Sequence, residues 1–142
     1  DLLGEQFVRY MFELCSPDGA ALIYVNENYE YQANNPNRAA FLYDEPERVS
    51  SICRQIDDGD DPCVCVVEGG CVVGTQLSTE KRHCGYFLMF LSDYTGQTVQ
   101  ANMDIIELVL AQAQLVCQLI EKNNALHHLQ LEHLSRTSKV LS

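Results

Sequence analysis

The sequence predicts an α+β fold: an antiparallel sheet of about five strands, N- and C-terminal helices packed on one face, and a long C-terminal helix. Three observations predict it. Five short runs rich in β-branched and aromatic residues are bounded by Gly, Pro, Asn or Asp turn chemistry. The first segment instead spaces its apolar residues as a helix does. The last third carries an apolar 4-3 rhythm through Ile106, Leu110, Ala113, Cys117, Ile120, Asn124, His127, Leu131, Leu134, Ser138 and Leu141. That alternation averages 3.5 residues, the period that keeps one helix stripe facing a partner.

In chain order, Leu2, Leu3, Phe7 and Met11 make Leu3 to Cys15 an amphipathic helix, ended by Ser16-Pro17-Asp18-Gly19. Ala20 to Asn26 and Tyr29 to Ala33 read as a hairpin turning at Glu27-Asn28. Asn34-Asn35-Pro36-Asn37 is a turn, and Arg38 to Tyr43 reads as one helical turn. Pro46 suits a first helical turn, and Val49, Ile52, Cys53 and Ile56 follow at helical spacing. After an acidic loop from Asp57 to Pro62, Cys63 to Val67 and Cys71 to Leu77 read as a second hairpin turned by Gly69-Gly70. Ser78 to Cys84 is a polar connection. Gly85 to Ser92 is the most apolar strand and the expected sheet centre. Asp93 to Gly96 lead into the long helix, with Thr98 or Asn102 as its expected N-cap. No proline or glycine occurs from Gln97 to Ser142, so one continuous helix of roughly 60 Å is expected.

The 142 residues, 46% of them hydrophobic, suit one domain with an attached element. Residues 1–120 read as the domain and 121–142 as a helical extension. The net charge of −11 repels phosphate backbones, so no direct nucleic-acid contact is expected of this segment. No unbroken apolar run approaches the roughly 20 residues of a membrane span, and the opening carries no secretory leader. The chain starts without methionine and stops inside a helical pattern, so it reads as a piece of a longer protein. Seven cysteines (15, 53, 63, 65, 71, 84 and 117) without a CxxC pair point to free thiols in a reducing cytoplasm.

The element order, the strand GYFLMFLSD, the link TGQTVQA, the helix DIIELVLAQAQLVCQLIEKNNAL and the opening FVRYMFELCSPDGAALIYVNENYEYQAN resemble the GAF domain family of small-molecule sensor modules. The resemblance covers about residues 2 to 125 and rests on pattern and order. Arg38 to Pro62 is short where many members have longer helices and loops closing a pocket. The resemblance implies a sensory or regulatory domain of a larger signalling or transcription-regulatory protein, in which a terminal helix relays ligand or partner state.

The residues themselves carry less. Tyr24, Tyr31, Thr75, Gln76 and Tyr86 are the polar strand residues that would line a ligand site. Cys63 and Cys65 share one strand face with Cys71 across the hairpin, and His83 or Cys84 would complete a metal or redox set. Buried packing is the preferred reading, because Cys-x-Cys is weak by zinc standards. The acidic stretch from Asp44 to Asp61 reads as a solvated loop before it reads as a cation site. No Ser-His-Asp set, P-loop, HExxH or dinucleotide fingerprint is present. No catalytic residue, metal ligand or identified cofactor is assigned. Self-association is expected through Ile106, Leu110, Ala113, Cys117, Ile120, Asn124, His127, Leu131 and Leu134, with a small molecule as a second candidate partner. His127 on that seam would weaken the dimer below about pH 6.5. The rival classes are a ligandless dimerisation scaffold and, behind it, a cysteine-based redox enzyme.

Overall fold

The computed structural model describes residues 6, 20–34, 41–80 and 82–141, with side chains for all of these but 43 and 137–141. The fold is α+β. Strands β1 (Ala20–Val25), β2 (Tyr31–Ala33), β3 (Cys63–Val67), β4 (Gly70–Ser78) and β5 (His83–Ser92) form one antiparallel sheet in the order β2-β1-β5-β4-β3. The most apolar strand, β5, is central. Helices α1 (Phe41–Asp44) and α2 (Glu47–Asp57) precede β3, while α3 (Gly96–Ala101) and α4 (Met103–Leu141) follow β5.

Period-two alternation sorts the strands onto two cores. Leu22, Tyr24, Cys71, Val73, Leu77, Phe87, Met89 and Leu91 pack with Ile106, Leu110, Ala113, Cys117 and Ile120 of α4. Ile23, Val25, Val72, Leu88 and Phe90 pack on the opposite face with Val49, Ile52, Cys53 and Ile56 of α2. Pro46, at φ −60°, presets the first turn of α2, and Glu47 and Arg54 complement its dipole at the two ends. Gly85, at φ +119°, accommodates a register shift between β5 and β4 that turns Cys84 toward α4 and His83 away from it.

The expected single helix from Gln97 is broken. Thr95 is the N-cap of α3: its side chain accepts from the Thr98 N–H at 3.2 Å, while of the two expected caps Asn102 directly precedes the long helix α4 and its carbonyl accepts from the Ile106 N–H at 3.0 Å. Asn102 separates α3 from α4 because its amide donates to the Thr98 carbonyl at 2.8 Å, a side-chain bond that competes with helical continuation. Beyond it α4 runs 39 residues, about 60 Å. Its last fully buried side chain among the described residues is Ile120. By length and composition this helix is apolar enough to cross a membrane, a property the search for unbroken runs missed, and 33% of its apolar 18-residue window is buried in the protein.

The expected N-terminal helix and its turn lie outside the described residues, apart from Gln6. That residue is helical, and its Oε1 accepts from Asn124 Nδ2 at 3.2 Å.

Candidate functional site

The five polar residues expected around a ligand do not converge. Tyr24 is buried on the α4 face and its hydroxyl donates to the Cys84 carbonyl at 2.6 Å. Thr75 lies on the same face, and its hydroxyl donates to Asp61 Oδ1 at 2.6 Å. Asp61 Oδ2 also accepts from the Gln76 backbone N–H, at 3.4 Å. β3 pairs with β4 only as far as Gly74, so the Asp61 carboxylate takes over where that ladder stops. This is a structural use for part of the acidic loop.

The other three, Tyr31, Tyr86 and Gln76, stand with Val25 in one cross-strand row on the α2 face, because Val25 pairs with both Tyr31 and Tyr86 and Tyr86 pairs with Gln76. Tyr31 is partly exposed and its hydroxyl reaches the Leu42 carbonyl at 3.4 Å. The Tyr86 hydroxyl donates to Asp57, at 2.8 and 2.7 Å from its two oxygens, just where α2 ends. Burial, then the Asp57 hydrogen bond and charge, push the Tyr86 phenol above its ordinary range. Burial does the same for Tyr24.

Sequence reasoning missed His83 here. Its ring meets Tyr86 edge-on at 4.9 Å, and its Nδ1 accepts from the Gly85 N–H at 3.2 Å. Nε2 therefore carries the proton, and it is buried without a hydrogen-bond partner. Only the Gly85 register shift places His83 on this face. Strict alternation along β5 would put it with Phe87 and Met89.

The cysteine grouping is also revised. Cys63 and Cys65 share the α2 face, whereas Cys71 sits in the core on the α4 side, so the expected three-thiol set is divided by the sheet. Cys84 lies instead beside Cys117 of α4. Burial pushes the Cys53, Cys63 and Cys117 thiols up to about 12, which keeps them protonated and poorly nucleophilic. Cys65 is half-buried, and Arg48 Nη1 stands 3.7 Å from its sulfur while Arg48 also bridges to Glu45 at 2.8 Å. Among the described residues no group of three or more His, Cys, Asp or Glu side chains is arranged to hold a metal ion.

Clefts open elsewhere. One of about 490 Å³ lies at the β1–β2 turn among Tyr24, Glu27, Glu30 and Arg82, and another of about 280 Å³ lies between the β4–β5 turn and α4. The face between the sheet and α2 is occupied by the chain's own side chains.

The helix seam needs the largest correction. Ile106, Leu110, Ala113, Cys117 and Ile120 are buried against the chain's own sheet, so they are not free to face a second helix. A stripe that covers a sheet and one that forms a coil have nearly the same period, and the sequence alone did not separate them. Asn124 is half-buried beside Gln6, while His127, Leu131 and Leu134 are exposed past the sheet. Most of the large apolar residues left open on α4 lie on its side away from the sheet. Ile105, Leu108, Leu115, Leu119, Leu126 and Leu129 are each between 51% and 69% exposed. They form an aligned apolar strip rather than single scattered leucines.

Comparison of the chain with protein-family models, with curated proteins and with solved structures finds no match.

Proposed function

We propose that this chain is a GAF-like regulatory module that acts by association: its sheet domain is a packed base, and α4 joins it to a second copy and passes on the state of a partner. The observation that carries this reading is the pairing of a filled sheet face with an unfilled helix face. On the α2 side, side chains occupy the space that a sensor would give to its ligand. On α4, eight large apolar side chains face water, six of them on the side away from the sheet. Relay would require two arrangements of the helices to which the partner binds with different affinity. A role without catalysis fits the cysteines, three of which burial keeps as thiols.

Sedimentation equilibrium tests the reading. The chain is expected to dimerise reversibly, and Leu119→Glu, which puts a charge on an already exposed position, is expected to leave a folded monomer. A native chain that stays monomeric up to about millimolar concentration would sink the proposal.

One observation favours a second reading. The unpartnered Nε2–H of His83, beside Tyr86 and Asp57, is a donor awaiting an acceptor, which suits a small ligand bearing a carbonyl or carboxylate. Native mass spectrometry that found such a molecule retained would favour sensing over scaffolding.

A further inference from the structure

The outward face of α4 has an internal symmetry. Its positions step by 3 and 4 through Ile105, Leu108, Gln112, Leu115, Leu119, Lys122, Leu126 and Leu129. Read from either end, the order is two apolar residues, one polar, two apolar, one polar, two apolar. Its midpoint is the level of Cys117, whose own side chain is turned into the sheet. A two-fold axis at that level sets each residue against the one equally far beyond the midpoint. Ile105 then meets Leu129, Leu108 meets Leu126, Leu115 meets Leu119, and Gln112 meets Lys122.

We infer that two copies of this chain associate through this face with their α4 helices antiparallel and centred at Cys117. The inference rests on the reading of α4 as a self-association surface and adds its partner register. A parallel pair would stack Lys122 on Lys122 inside the seam, where like charges are partly desolvated. The antiparallel pair sets each Lys122, which forms no ion pair among the described residues, against a neutral amide that accepts hydrogen bonds, and does so twice. Charge on the flanks agrees. Apart from the exposed Asp104 at its N-terminal end, the residues that border the stripe, Val109, Ala111, Val116, Gln118, Asn123, Ala125 and Gln130, are uncharged, although the chain carries −11 overall. Between Val109 and Ala125 two acidic molecules can therefore approach along this strip without setting carboxylates against each other. Among the described residues the geometry leaves room as well. The sheet packs on the reverse side of α4, so each copy's sheet stays outside a central helix pair, in the layer order sheet, helix, helix, sheet.

A single substitution separates the registers. Gln112→Glu places a carboxylate opposite the partner's Lys122 in the antiparallel pair but opposite another Glu in a parallel one. Sedimentation equilibrium at low salt is expected to show the Gln112→Glu dimer tightened by about threefold to tenfold, as two partly exposed ion pairs would give. The gain is expected to fade in 1 M salt. Gln100→Glu on α3 adds the same charge off the seam and is expected to bring no tightening. Circular dichroism and melting confirm that each variant folds. A Gln112→Glu dimer that is weakened or unchanged overturns the antiparallel register while leaving self-association standing. A native chain that never dimerises overturns both. A native chain that stays monomeric yet binds phosphatidylcholine vesicles assigns the stripe to a lipid surface and likewise overturns both.

Discussion

At Gly74 of β4 a methyl group would meet Leu88 Cδ2 at 2.5 Å and Ile56 Cδ1 at 3.2 Å, so the missing side chain is what lets α2 settle onto the sheet. Gly74→Ala is expected to cost about 1–3 kcal/mol through forced rotamers in α2 and β5, measurable as a lowered urea midpoint. A second residue-scale consequence concerns alkali. Cys53, Cys63 and Cys117 have folded pKa values pushed up to about 12 from an ordinary 9, and the Tyr24 and Tyr86 phenols are also raised. For an acid group with a raised folded pKa, the unfolded chain loses the proton first. Stability is therefore full below about pH 9 and falls as pH climbs toward 12. Thermal melts are expected to be level from pH 7 to 8.5 and to drop steadily above 9; a midpoint that rose in that range would contradict the burial of these groups. At this scale little of the site was legible. Parity gave the relative faces of Cys63 and Cys65, but one positive-φ glycine reversed the side of His83, and the taking of Thr75 and Tyr86 by Asp61 and Asp57 depends on a loop and a helix end distant in sequence.

The strands were largely legible as elements because their runs of β-branched and aromatic residues end at turn chemistry. β1, β3, β4 and β5 lie within a residue or two of their expected bounds, and β2 is shorter by two residues at its start. α2 was readable from Pro46 and four apolar residues at helical spacing. What the sequence did not separate was the helix stripe. Ile106 to Ile120 satisfies the spacing of a coil seam and of a sheet cover alike, and only the sheet's position decides between them. Val109 and Val116, at the edge of the outward stripe, turn toward the sheet. The break at Asn102 was hidden for another reason: asparagine carries no signal as strong as proline, and its competing amide bond shows only in three dimensions.

For the molecule as a whole, the unequal treatment of its two sheet faces matters most. One face is closed by α2 and the other by α4, and α4 alone turns a further apolar side outward. The net charge of −11 opposes close approach of two copies, so the proposed contact along that side is expected to be reversible. Among the described residues Ile120 is the last buried side chain of α4, so the sheet's apolar grip on the helix ends there. That double-sided helix also has a consequence in time. Its amides open to solvent only when the local fold loosens, and under the proposed association a helix held on both sides would loosen less often. Amide hydrogen exchange is therefore expected to slow with rising protein concentration from Ile105 to Leu129 and to stay fast and concentration-independent from Leu131 onward. Mass spectrometry of deuterated peptides at two concentrations would read that boundary directly. A single stretch of chain would thus keep two clocks, one set by its own domain and one by how often it meets another copy.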